Sequence, residues 1–343
     1  MSWPTPDPEA GRRWGSRTWA ASGAESSRAQ RPAAPTGLLR RLFPVPASRQ
    51  DAARAWLDES AAPRPPRHPR AAAVVVLIRD SPDGLQTWLG QRSTRSPLGL
   101  VSFPGGSSTA QDDAAPLWFG PTPTQWAARL GFTDFVEARR RVVAAVRELF
   151  EATGVLLAGP DDLSLVEDAP ADEMQSARKQ LADGDLGFAE FLERRGWGVR
   201  SDLLKPLGRW ISADYELFRF DTWYFAAALP TGQQSTPMSG ERGESRWGRW
   251  VGVKEPVAAP DSTGLGEEIG SADTEGIPLS GLATPATQVF LSKLQRTRGC
   301  VAYLSSNRPL STYKPELVTE GDGLWLDVTT VEAAEGGGVA KAR

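Results

Sequence analysis

Residues 133–155 carry the strongest constraint on what this 343-residue chain can fold into. Apolar side chains at Phe135, Val142, Val146, Leu149 and Phe150 form the periodic stripe of a buried helix face. Thr133 or Asp134 can cap its start, Gly154 supplies a left-handed stop, and Val155 can pack back on the last turn. The expected helix ends in Arg147-Glu148-Leu149-Phe150-Glu151-Ala152-Thr153-Gly154-Val155. Glu148 and Glu151 are three residues apart and share a face. Two carboxylates held side by side repel unless a cation sits between them. Hard cations such as Mg²⁺ take oxygen ligands, usually one or two carboxylates plus substrate phosphates. About forty residues upstream stands a second short segment, Phe103-Pro104-Gly105-Gly106. Two glutamates alone would read as a solvated helix face. Together with the glycines, Arg147 and Gly154 they read as a metal–phosphate site.

These segments resemble the signature of the Nudix hydrolases, which runs Gly, five residues, Glu, seven residues, then Arg-Glu-apolar-x-Glu-Glu-x-Gly-apolar. Gly106 stands for the first Gly, and Arg147, Glu148, Leu149, Glu151, Gly154 and Val155 match the tail. Two features depart from it. The gap from Gly106 to Arg147 is longer by about twenty-seven residues, and the position at the usual spacing before Arg147 is Arg139, with Glu137 the nearest acid. The second Glu of the Glu-Glu pair is Ala152. A long gap at this place is similar to the branch of the family that includes a peroxisomal CoA diphosphatase. Leu89 to Ser93, Trp210-Ile211 and Arg219 to Thr222 fit that branch, although the His that other CoA-recognising relatives carry before the glycines is missing. The resemblance covers roughly residues 70–295.

The resemblance implies an α+β fold, the Nudix α/β/α sandwich with a mixed sheet, interrupted by an insertion at 107–133. It implies Mg²⁺ or Mn²⁺ held by Glu148, Glu151 and the main-chain carbonyl of Gly105, with Arg147 orienting one glutamate through a bidentate pair. Arg92 and Gly106 become substrate contacts. A later glutamate often joins as ligand or base, and Glu244 is the first choice, with Glu241 second. The implied reaction is hydrolysis of a diphosphate bond in a nucleoside diphosphate linked to another moiety, such as CoA or acyl-CoA. Ala152 leaves a rival reading, a catalytically silent module that binds a nucleotide or regulates a partner. Glu137 is eleven residues from Glu148, roughly 16 Å along a helix, so it cannot share an ion with Glu148 and reads as structural.

Around this centre the chain divides into a proline-, alanine- and arginine-rich stretch, 1–68, expected to be mostly disordered, a domain at 69–300, and an extension at 301–343 whose end frays. Leu38 to Phe43 reads as a small amphipathic exception, a transient helix or docking segment, and Gln50 to Leu57 as one short helix. Strands are expected at Ala71–Ile78, Leu85–Gly90, Leu207–Ile211, Phe218–Leu229 and Trp247–Val253, and helices within 172–196 and at Ala286–Leu294. Residues 255–280 read as a mobile loop, Gly323–Val328 as an edge strand, and the insertion, with Trp118, Phe119, Trp126 and Leu130, as a cap on the domain. The aromatics around Trp223 read as core and Arg219 as an ion-pair or phosphate contact.

Composition removes other classes. A net charge of −3 and no basic stripe argue against nucleic acid as partner. No apolar run approaches a membrane span, and the polar N-terminus is no signal peptide, so a cytoplasmic protein is expected. The single cysteine, Cys300, excludes an internal disulfide, and His68, the only histidine, stands in a Pro/Arg stretch unsuited to acid–base work.

Overall fold

The computed structural model describes residues 36–58, 60, 64–92, 99–167, 170–238, 247–254 and 260–333. In chain order the elements are β1 (Thr36–Pro44), α1 (Gln50–Leu57), β2 (Arg70–Ser81), β3 (Gly84–Gln91), β4 (Val101–Ser102), β5 (Gly105–Ser107), β6 (Leu117–Phe119), α2 (Pro123–Leu130) and α3 (Phe135–Thr153). Then come β7 (Ala158–Gly159), α4 (Ala171–Asp183), α5 (Phe188–Glu193), β8 (Gly198–Arg200), β9 (Lys205–Ile211), β10 (Phe220–Ala228) and β11 (Gly248–Gly252). The last are α6 (Gly264–Ile269), α7 (Leu279–Leu282), α8 (Pro285–Gln295), α9 (Cys300–Ser305), β12 (Ser311–Tyr313), β13 (Glu316–Glu320) and β14 (Gly323–Ala333).

The β2 sequence is apolar at every position from Ala71 to Ile78, with no polar residue to face water. A strand of this kind needs cover on both faces, and it sits inside an eight-stranded sheet whose main path runs β11-β3-β2-β10-β9-β12, with β4 added on β3 and β5 on β2. Ala73, Val75 and Leu77 pack in one core with α3, whose Val142, Val146, Leu149 and Phe150 are fully buried. Val74, Val76 and Ile78 pack in the other with Val289, Phe290 and Leu294 of α8. The sheet is mixed: β10 runs parallel to β2 and β12 parallel to β9, while β3, β5 and β11 pair antiparallel. The α/β/α layering expected from the sequence is therefore present.

One topological detail prepares the site. A single edge of β2 is shared by two partners. β3 pairs with Ile78–Ser81 and β5 with Ala72–Val74. The far edge of β5, which carries Gly105, pairs with no other strand among the described residues.

Several local expectations change. Leu38–Phe43 is strand, not helix: β1 joins β14 and β13 in a separate three-stranded sheet of order β1-β14-β13, which also makes β14 the central strand rather than an edge. Phe43 is buried there with Leu326 and Val328 in the core that α8 shares, a long-range pairing that local pattern could not show. Residues 255–280, expected to be a loop, contain α6, in which Leu265 is fully buried. Phe135, counted in the buried stripe of α3, is half exposed, while Arg141 and Ala144, assigned to another face, are buried. A central helix with cover on more than one side does not show a single stripe. The insertion folds as a 3-10 turn, β6 and α2, and Trp126 and Leu130 bury themselves with α3. The end at 334–343, expected to fray, lies outside the described residues, as does the stretch 1–35. No helix among the described residues is long and apolar enough to cross a membrane.

Candidate metal and diphosphate site

The Asp134 side chain caps α3 by accepting from the Val136 N–H at 2.8 Å, and Gly154 stops it at φ 77°. Its last turn is then held by a residue that sequence reading did not single out. Arg178 of α4, 1% exposed, donates to the Glu151 carbonyl from Nε (3.1 Å) and Nη2 (3.0 Å), to the Thr236 hydroxyl (3.1 Å) and carbonyl (3.0 Å), and to Gln175 (2.9 Å). Burial lowers its pKa to about 10, so it stays protonated at neutral pH, a cation at the negative end of the helix dipole.

The glycines face this turn from β5. The Pro104 carbonyl accepts from Val75 N–H, so the Gly105 and Ser107 carbonyls, one and three residues on, point away from β2 into the open side. There the Arg92 guanidinium donates to Gly105 and to the Ser102 hydroxyl (2.7 Å), and Arg147 donates to Ser107 (3.0 Å). Between them the Glu148 carboxylate lies flat on Gly106: a Cβ on that residue would fall 2.6 Å from the carboxyl carbon. Gly106 is thus glycine for close approach, not for a special φ.

Arg147 is the hub. It makes a bidentate pair with Asp112 (2.8 and 3.0 Å), and its Nη1 donates to both Glu148 (3.1 Å) and Glu151 (3.0 Å). With Ser107 that accounts for all five N–H groups of a guanidinium. Arg147 therefore has no donor left for a substrate and acts by fixing the two glutamates. The sequence-based expectation gave its bidentate partner as a glutamate; the structure gives Asp112.

Asp112 was the missed residue. It is fully buried in the 3-10 turn Ala110–Asp113, where the Thr109 N–H also reaches it at 2.7 Å. A usable signal was present. Five residues separate it from Gly106, the spacing at which the Nudix signature places its acid. Counting backward from Arg147 lands on Arg139 because the insertion follows Asp112 rather than preceding it. Glu137 instead pairs with Arg140 at 2.7 Å, in keeping with a structural role. Asp112→Asn is expected to weaken Mn²⁺ binding by roughly 10- to 100-fold, as loss of a supporting partner does, and to lower the melting temperature. Isothermal titration and thermal denaturation check both, and unchanged metal affinity would make Asp112 a purely structural residue.

Electrostatics sets the two glutamates against each other. Burial pushes Glu151 up to about 7, with Glu148 repelling its charge and Arg147 only partly compensating. Burial also raises Glu148, against the fields of Arg147 and Arg92. A carboxyl whose folded pKa exceeds its unfolded value contributes stability that is present below the unfolded value and lost as pH rises through the folded one. The metal-free protein is therefore expected to melt lower at pH 8 than at pH 6, with a smaller difference in Glu151→Gln. Equal pH dependence in both proteins would contradict the coupling.

The pair opens into a cavity of about 800 Å³. Its walls include Arg92, Phe103, Gly106 and Ala152 together with the two carboxylates, and Leu181 and Met238. Gln111 of the insertion reaches the Gly184 carbonyl at the end of α4 (3.4 Å), so the insertion contributes to the wall. Five residues picked from sequence, Glu148, Glu151, Arg147, Gly106 and Arg92, thus line one cavity, and Gly105 joins them through the Arg92 bond to its carbonyl. Glu244 and Glu241 lie outside the described residues. Arg219 does not join: it is buried against Asp214 (2.5 Å) and the Ser212 carbonyl. Trp223, Tyr224 and Phe225 are core. Among the described residues no group of three or more His, Cys, Asp or Glu side chains gathers as a ligand set. What fits a metal is the two-carboxylate donor set with its carbonyls, a pattern suited to Mg²⁺ completed by water and phosphate.

No protein-family model and no curated protein matches this chain. Solved structures do. A NUDIX hydrolase from Alicyclobacillus acidocaldarius is similar over 71% of this chain and 97% of its own, at 20% identity and TM-score 0.51. The fold is that of the Nudix hydrolases. A C. elegans Ap4A hydrolase in a binary complex is similar over 66% of this chain and 94% of its own (14% identity, TM-score 0.29). The NUDIX domain of Shewanella oneidensis NrtR, complexed with ADP ribose, is similar over 64% and 96% (14% identity, TM-score 0.28).

Proposed function

We propose that the chain is a divalent-metal-dependent hydrolase of a diphosphate bond in a nucleoside diphosphate linked to a second moiety. The observation that carries this is the buried Glu148–Glu151 pair, both bonded to one saturated arginine and both facing an 800 Å³ cavity. Glu148 and Glu151 would hold Mg²⁺ or Mn²⁺, which would neutralise phosphate charge and lower the pKa of a bound water. Arg147 and Asp112 keep the carboxylates in place, Gly106 lets Glu148 reach its position, and Arg92 contacts the diphosphate. Glu244, in the segment after the wall residue Met238, is the proposed later ligand or base. The cavity is large enough for a nucleotide-sized ligand, and CoA or acyl-CoA stands as one member of that class.

Assay of CoA, acyl-CoA, ADP-ribose, NADH and dinucleoside polyphosphates with Mg²⁺, Mn²⁺ or EDTA tests the reading. Metal-dependent release of products from any one supports it. Ligand binding with no cleavage across the panel favours the second reading, a silent nucleotide-binding module, for which the specific observation is Ala152. This residue lines the cavity where the family signature has a carboxylate. Ala152→Glu is expected to tighten Mn²⁺ binding about tenfold, the size of one added ligand contact near 1.4 kcal/mol. No change would place residue 152 outside the coordination sphere.

A further inference from the structure

We propose that Arg92 guards the metal position: its guanidinium holds the Gly105 carbonyl in the resting protein and exchanges it for a phosphoryl oxygen of the substrate once a divalent cation is bound. The inference rests on the metal reading above and adds a competition within the site. Arg92 is not distant from the carboxylates. Its charge is one of the two guanidinium fields that favour the ionised form of Glu148. A guanidinium at that place repels a dication at Glu148 and Glu151, and it uses the one carbonyl beside them that the glycine pair turns toward the site.

The geometry also permits the exchange. The main chain at Arg92 is pinned by its N–H to the Leu100 carbonyl (2.7 Å), and Gln91 N–H is pinned to Trp247 (2.9 Å), so β3 need not move. The Nε bond to the Ser102 hydroxyl (2.7 Å) can serve as a pivot while Nη2 leaves Gly105. Arg92 also lines the cavity, so the released end of the guanidinium remains beside the space that a diphosphate would fill. Arg147 cannot take this role, since its five N–H groups are engaged by Asp112, Glu148, Glu151 and Ser107. One arginine is fixed and orients the glutamates; the other stands on the Gly105 carbonyl, which it can trade.

The consequence has an unusual sign. Removing the Arg92 charge tightens the metal and weakens the substrate. Mn²⁺ alone, titrated calorimetrically or by its paramagnetic resonance signal into the full chain, is expected to bind Arg92→Gln about fivefold or more tightly than wild type. The same variant at saturating Mn²⁺ should show a raised KM on whichever diphosphate the panel identifies. Arg92→Lys, which keeps the charge, should bind Mn²⁺ within about twofold of wild type, and it keeps the test open if the glutamine variant folds poorly. Unchanged or weaker Mn²⁺ binding in Arg92→Gln, with Mn²⁺ bound normally by wild type, would overturn the guard role alone. Absence of Mn²⁺ binding in every variant would instead bring down the metal reading beneath it.

Discussion

Glu148→Gln is expected to lower turnover by a factor on the order of 10³, comparable to losing a principal electrostatic element of an active site, while the fold survives. The reasons for both halves are local. Glu148 lies on Gly106, and it is the carboxylate that both Arg147 and Arg92 address. The amide replacement keeps the shape and an oxygen for the Arg147 N–H at 3.1 Å, but it removes the charge that would hold a cation. Because burial and the neighbouring acids work against that charge, its removal relieves repulsion, and the melting temperature of the metal-free variant should equal or exceed that of wild type. Steady-state kinetics with Mn²⁺ and thermal denaturation without it check the two halves. Full turnover in the variant would remove Glu148 from the site.

The second large effect separates two adjacent glycines. Gly106→Ala places a methyl group against the Glu148 carboxylate, the far end of a flexible side chain, which can swing aside. The fold should tolerate this, whereas a displacement of about 1 Å at a reacting centre can cost on the order of 100-fold in rate. Gly105→Ala is different in kind. Its methyl group would fall 2.5 Å from the Ala73 carbonyl oxygen and 2.7 Å from the Val74 Cα, which are backbone atoms of the central strand. Nothing there can move without opening the β5–β2 ladder, so a loss of about 1–3 kcal/mol is expected. Urea melts of both variants alongside kcat would show an activity defect with little stability loss at 106 and a stability defect at 105. The reverse pattern would contradict the packing described here.

The features that could be read from the chain alone are those written in local spacing. The α3 limits, the Asp134 cap, the Gly154 stop, the β2–β3 hairpin and the i, i+3 pair of glutamates each depend on residues within one or two turns of each other. So does α1, whose limits Gln50–Leu57 match the expectation. Strand β1 did not follow this rule, since its partner β14 lies almost three hundred residues away. The half-exposed Phe135 and the buried Arg141 likewise depend on what covers each side of α3.

The candidate site shows the same division. Arg147, Glu148 and Glu151 are legible as one turn and a half of helix, and Gly105 and Gly106 as a place for close approach. Sequence alone could not show that Asp112 would fold back across the insertion to take two of the five Arg147 donors, nor that Arg178 would hold the Glu151 carbonyl from α4. Side-chain chemistry and helical period determine which residues can bind a metal, because both act over a few residues. Only the tertiary structure decides which arginine is saturated and which stands on an exchangeable carbonyl, because hydrogen-bond donors are allotted among partners brought together from distant parts of the chain.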